Sequence, residues 1–546
     1  MNTRQLQTDK NQKLYHALLG ILLVCALAMM MLLSYWACKY SYYGAVDGRT
    51  RGVLVGDKTW AHIAVFFAAS LCAMGIDKVL MKKDKSQQEK ICLCTLIVTS
   101  VIAFILGVFY VCKNPYYPVG DQINTTAFAA YCRDGNFSML SIGGYVGMYQ
   151  QQKGLAILYE ILFTLFGDFN YRPAKILHVV WWILTILAGY GFLKLNTDRP
   201  VFRMLYCVMM LGCFPLLFYL PYIYGDVLSI SFGIILFYGV AAYEHSGQKR
   251  YIALASFAAG LAVLARKNTW IVLVAVAVYV LLVSLRKKKV RYLMAGTAIL
   301  LTAALSVKAV DVIYEVRSGY PSGVGIPSIL WVAMGLQETE GRAGVYNRYQ
   351  QATFTDYDCQ QELAAQQGKE YIRERLEEFS QDPGMAFNFF KNKVEGQWIE
   401  PMYAALESTE SFEEGAELSS VLESLYYGEL GRTIWKLTNY YQSILYLAGL
   451  MALVMLGILW WKKKEVPISL WLPWIAVFGG FLFSILWEAK SRYVFPYCVF
   501  MILYAPEGLY QTGLLLCKLP KLRKFRKSGH TPVSYTHLTL PTIYSV

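Results

Sequence analysis

Residues 91–112 read ICLCTLIVTSVIAFILGVFYVC, and residues 113–133 continue KNPYYPVGDQINTTAFAAYCR. The first part is 22 residues without a charge, and about 20 such residues cross the hydrocarbon of a bilayer as a helix. The second part turns at Pro118 and Gly120, presents Asp121 and Gln122, and resumes a helical stretch from about Thr125. A membrane span that ends in a polar turn with an acid just beyond it sets both the fold class and the place to look for chemistry.

The same reading extends along the chain. Apolar runs at 15–36, 60–79, 91–112, 174–193, 203–220, 226–243, 251–265, 269–285, 292–309, 437–460, 467–487 and 493–513 predict about twelve membrane helices. Composition agrees: 56% of residues are hydrophobic and 16% charged, where a soluble domain carries about 25% charged. That balance excludes a soluble enzyme, a disordered chain and a small disulfide scaffold. The net charge of +14 does not imply nucleic acid. Its basic residues cluster between apolar runs, as loops on the cytoplasmic side require. With twelve spans, the clusters at Lys82–Lys85, Lys194–Arg203, Lys249–Arg250, Arg286–Arg291 and Lys462–Lys464, and both termini, fall on that side. The run 154–167 contains Glu160 and is short, and it is expected to lie in the outer interface; as a crossing it would flip every later basic loop. The protein is expected in a cell membrane, in contact with its lipids.

The predicted organisation is N-terminal helices over 1–90, a core over 91–309 with a first outer loop 113–173, an outer, mainly helical loop domain over 310–436, C-terminal helices over 437–517, and a basic tail 518–546. The segment 310–436 holds 21 of the chain's 37 acids against 10 Lys and Arg, and its stretch 360–380 reads as an ordinary solvated helix. Residues 530–546 resemble translated sequencing adapter and are set aside. No signal peptide is expected, and neither a 20–50-residue repeat nor an inverted repeat is visible. The 12 cysteines form no metal-ligand pattern; Cys132 and Cys359, in polar segments, leave a bond open.

Charged residues at the outer ends of spans are the informative ones. Asp121 is such an acid, and equally a helix cap. Asp226, in LPYIYGDVLSISF, stands where the macrodipole of the next helix favours an acid. Both emerge on the same side, and together they fit a paired-carboxylate site. Arg266-Lys267-Asn268 interrupts two spans on the outer side, against the positive-inside trend. It suits either an anion such as phosphate or snorkelling. WEAKSRYVFPY adds Glu488, Lys490 and Arg492 there. In EGQWIEPMY, Trp398, Glu400 and Tyr403 suit a sugar or a membrane interface.

The ordered set resembles the GT-C superfamily of integral-membrane glycosyltransferases, in particular a bacterial branch similar to protein O-mannosyltransferases. The residues that carry the likeness are Asp121-Gln122, the turn Tyr222-Xaa-Tyr224-Gly225-Asp226, the Arg266-Lys267-Asn268 segment, WVAMGLQE (331–338), GQWIEP (396–401), and Ser491-Arg492-Tyr493 with Pro496. The resemblance spans roughly 91–515 and implies a helix bundle of the GT-C type. It implies a sugar donor linked to a polyprenyl phosphate and inverting transfer to an acceptor glycan, lipid or protein of the cell envelope on the outer face. It implies Asp121 as catalytic base and Asp226 as second acid. Arg266, Lys267, Lys490 and Arg492 are then candidates for the donor phosphate, and Gln122, Tyr224, Trp398 and Glu400 for substrate. A divalent cation at Asp121 and Asp226 is left open, as no cofactor is required. Two extra spans precede the first-loop acid, where the family commonly has one. The rival readings are a polymerase or ligase acting on diphosphate-linked glycans, which would use arginines with a histidine, and a flippase or transporter, which would set ionisable residues mid-span.

Overall fold

The computed structural model describes residues 3–43, 53–323, 325–464 and 466–527; the tail 530–546 lies outside them. Among the described residues, nine helices are long and apolar enough to cross a membrane. Helices are the open-ended answer to a hydrocarbon solvent, because every backbone N–H and C=O finds its partner within the segment. The protein is therefore helical and multi-pass. Among the described residues, its sheet is confined to two small antiparallel pairs, Tyr40–Tyr43 with Val53–Gly56 and Glu338–Thr339 with Arg342–Ala343.

Nine is three fewer than the expected twelve. The run 203–220 is split into Pro200–Gly212 and Phe214–Phe218, where Pro215 supplies no N–H to continue the ladder. Lys249–Ala265 has only 17 residues. The run 493–513 is divided between Ser491–Met501, which carries Pro496 inside it, and Ala505–Lys527. The expected outer loop 310–436 also starts late and ends early. Helix Val290–Ser318 runs on until Gly319 adopts φ 75°, a left-handed stop, and helix Glu429–Trp461 already begins at Glu429. The run 154–167 forms Lys153–Phe166, 14 residues or about 21 Å, too short for the ~30 Å hydrocarbon.

Helix Asp226–Ser246 is the centre of the bundle: 83% of its apolar window is buried, against 28% for Lys85–Lys113 and for Val290–Ser318, whose outward faces are left for lipid. It packs between Arg172–Asn196 and Lys249–Ala265. The two N-terminal helices pack instead on the C-terminal ones, Thr3–Lys39 on Glu429–Trp461 and Thr59–Leu80 on Ala505–Lys527. The helices Ile329–Gly335, Tyr349–Asp356, Gln361–Gln381 and Pro383–Trp398 have small apolar cores of their own, around Leu330 with Phe354 and around Phe379 with Phe389. The solvated-helix reading of 360–380 corresponds to Gln361–Gln381. Cys132 and Cys359 are free thiols and do not pair.

Candidate functional site

A cavity of about 1030 Å³ opens between the loop after Lys85–Lys113, the turn at 224–225 with 265–268, the helices between 329 and 398 and the link 487–493. Asp121, Tyr224, Arg266, Lys267, Glu400, Lys490 and Arg492 line it. Asp226, Gln122 and Trp398 do not.

Asp226 stands one layer behind. As first residue of the central helix it is 1% exposed, and its carboxylate pairs with the Arg266 guanidinium. Nε of Arg492 lies 3.9 Å from the same oxygen, and Arg492 also donates to the Tyr222 hydroxyl. Three rings box in the two guanidiniums: Tyr224 and Tyr493 lie 5.9 and 5.3 Å from Arg266, while Tyr222, Tyr224 and Tyr493 lie 5.2–5.4 Å from Arg492. Cations at such distances are attracted by ring quadrupoles. The backbone has to come close for this to happen. A Cβ on Gly225 would stand 2.0 Å from the Ala265 carbonyl oxygen, so only glycine lets the Tyr-Xaa-Tyr-Gly-Asp turn meet Arg266. The paired-carboxylate arrangement of Asp121 with Asp226 is thus replaced by an acid that holds two arginines in place.

Asp121 begins helix Asp121–Arg133 but does not cap it. The cap position is Gly120, at φ 59°, and no side chain closes the first turn. The Asp121 carboxylate instead accepts a hydrogen bond of 2.8 Å from the Tyr145 hydroxyl. Nearby, Gln152 donates to the Tyr224 hydroxyl at 2.6 Å and accepts from Thr125 at 3.3 Å, which ties the first loop to the arginine box. Lys267 reaches Ser328 Oγ at 3.4 Å.

The two other expected substrate contacts are wall-building residues. Gln122 is 3% exposed and accepts from the Tyr116 hydroxyl at 2.6 Å. Trp398 is fully buried; its indole N–H donates to Ser484 at 3.0 Å and its ring stacks on Tyr497. Glu400 does line the cavity, but its carboxylate accepts from the backbone N–H groups of Met402 and Ala404. Burial pushes its pKa up to about 7 against those hydrogen bonds.

Residues that sequence reading gave no role complete the wall. Glu488 is 6% exposed, and burial lifts it to about 7; Asp121 adds to the lift while Lys490, Tyr493 and Arg266 oppose it. Lys393 is buried, donates to the Gly335 carbonyl, and is pushed down to about 7 by burial, with Glu488 opposing. Trp331 and Trp487 stack at 5.9 Å and 3°. Tyr145 and Tyr149 face the cavity from the two ends of the short helix Tyr145–Met148, whose sequence, GGYVGMYQ, carries no periodic signal.

The donor set does not fit a cation bridging Asp121 and Asp226, since Asp226 is committed to Arg266. Among the described residues no group of three or more His, Cys, Asp or Glu is arranged to hold a metal ion. No family model, curated protein or solved structure matches this chain.

Proposed function

We propose that the protein is a membrane glycosyltransferase that moves a sugar from a polyprenyl-phosphate-linked donor to an acceptor glycan, lipid or protein at the outer face of a cell membrane. The observation that carries this reading is the meeting of Arg266, Lys267, Lys490 and Arg492, four of the seven Lys and Arg that line one aromatic-walled cavity, with Asp121, one of its five acids. The three short or broken apolar segments count as crossings in this reading. That makes twelve spans, with the basic loops cytoplasmic and the cavity outside.

The chemistry then runs as follows. The cations bind the phosphate of a donor that arrives laterally through lipid. Asp121 takes the proton of the acceptor hydroxyl as its oxygen bonds to the anomeric carbon from the face opposite the phosphate. The bond from that carbon to the phosphate oxygen breaks, its electron pair leaves with the polyprenyl phosphate, and configuration inverts. The growing charge on the leaving phosphate is met by fixed cations, which need no reorganisation at that moment. The test is transfer by purified protein in lipid vesicles supplied with a panel of polyprenyl-phosphate sugars and a cell-envelope acceptor extract. Release of polyprenyl phosphate from one or more donors is expected. No release from any donor, with the protein intact, overturns the reading.

A further inference from the structure

Glu488 stands on the link between helices Leu472–Leu486 and Ser491–Met501, where the membrane bundle meets the outer helices. The seam is tight. A Cβ on Gly335 would come within 2.4 Å of the Leu486 carbonyl oxygen, and the Ala489 N–H donates to the Gly344 carbonyl at 2.7 Å. Trp331 from the outer side lies flat on Trp487 from the membrane side, and both line the cavity beside Glu488. A carboxyl group has about four acceptor positions, or a donor and the rest when protonated. Among the described residues, the hydrogen-bond partner of Glu488 is the Tyr493 hydroxyl alone, 3.4 Å from each oxygen. A side chain this buried, weakly satisfied and facing a cavity beside two indoles lacks a polar partner that a ligand hydroxyl supplies.

We propose that Glu488 binds a hydroxyl of the transferred sugar, whose ring is seated against the Trp331–Trp487 pair. This rests on the transferase reading and specifies where its sugar lies. It also gives Asp121 and Glu488 different roles. Asp121, hydrogen-bonded to Tyr145, is the base, and Glu488 is a sugar ligand. The groups facing Glu488 are Lys490 and Tyr493 on its own segment, Lys393 from the outer helices, Asp121 from the first loop and Arg266 from the turn. With its midpoint at about 7, Glu488 is a neutral hydrogen-bond donor in mildly acidic solution and an anion above it.

The experiment pairs Glu488→Gln with Glu488→Ala. Wild-type kcat/KM is expected to fall about tenfold from pH 6 to pH 8 as the neutral form is lost. Glu488→Gln, neutral throughout, works at a reduced rate and shows a flat profile; Glu488→Ala loses about 10–100-fold. A Gln variant that follows the wild-type profile, or is inactive though folded, overturns the assignment while leaving the transferase reading in place. Binding of methyl hexosides, read by saturation-transfer NMR, separates the two claims. If no donor is turned over, yet a hexoside binds and Glu488→Ala or Trp487→Ala abolishes the signal, the subsite stands and the transferase reading falls. Binding that neither substitution weakens overturns the subsite.

Discussion

Replacing Asp226 with alanine should unsettle the protein more than it slows any chemical step. The Asp226 side chain is 2% exposed, that of Arg266 9% and that of Arg492 8%. The substitution leaves two guanidiniums in a nearly dry site with no carboxylate. Removing one partner of a buried pair costs about 3–5 kcal/mol, a large part of a typical stability of about 5–15 kcal/mol. Arg266→Ala should cost less, because Arg492 remains 3.9 Å from Asp226. The double variant should be less damaged than the sum of the singles, with a coupling of about 0.5–3 kcal/mol. Thermal unfolding in detergent, followed by tryptophan fluorescence, measures all four corners of this cycle. Strict additivity, or an Asp226→Ala protein as stable as wild type, would refute the view of Asp226 as the anchor of the arginines. A folded, fully stable Asp226→Asn protein with turnover lost would return it to the reacting centre.

Asp121→Asn should lower turnover by about 10²–10⁴-fold with no loss of stability, since the side chain caps nothing; normal turnover in a well-expressed variant removes the base. Glu400 should give stability a pH slope. Its folded pKa, about 7, lies above the ordinary glutamate value of 4.5, so between those values the folded protein binds more protons than the unfolded chain. Its contribution is full below about 4.5 and is lost as pH rises through 7, roughly 3 kcal/mol in all. Glu400→Gln should thus gain stability relative to wild type between pH 5 and pH 8, and parallel melting curves at the two pH values contradict this. A cysteine at Gln366, on the exposed face of helix Gln361–Gln381, should react with an impermeant maleimide added outside intact cells. Labelling only after the cells are opened inverts the topology.

The membrane helices were legible because an uncharged run of about 20 residues has one outcome in lipid. The segments that differ are those where proline or a short run breaks that rule, as at Pro215 and Pro496. Four cations of the cavity were legible for a related reason. Arg266, Lys267, Lys490 and Arg492 stand beside apolar runs, and a cation there is conspicuous in sequence. What sequence did not resolve is depth. Asp121 and Asp226 look alike as acids at helix starts; the close approach at Gly225 draws one onto Arg266, while Tyr145, 24 residues away in the chain, holds the other in the open. Gln122 and Trp398 have the polarity and aromaticity of ligand contacts, yet they spend them on Tyr116 and Ser484 inside the wall. Glu488 was visible beside Lys490 and Arg492, but its weak satisfaction and its neighbour Trp331, far away in sequence, depend on tertiary packing.

The charge arrangement gives the proposed reaction a physical logic. One carboxylate, Asp226, faces two arginines, so the box keeps about one positive charge uncompensated. A polyprenyl-phosphate sugar is a phosphodiester and carries one negative charge, which the box neutralises. When the glycosidic bond breaks, the phosphate gains a second charge, and Lys267 and Lys490 line the same cavity to receive it. Placing the acid behind the arginines rather than among the substrate atoms holds the guanidiniums before the donor arrives. Fixed cations in a water-poor site act more strongly on a developing anion than mobile ones in water. The Asp121 carboxylate, held by Tyr145, stays clear of that pairing.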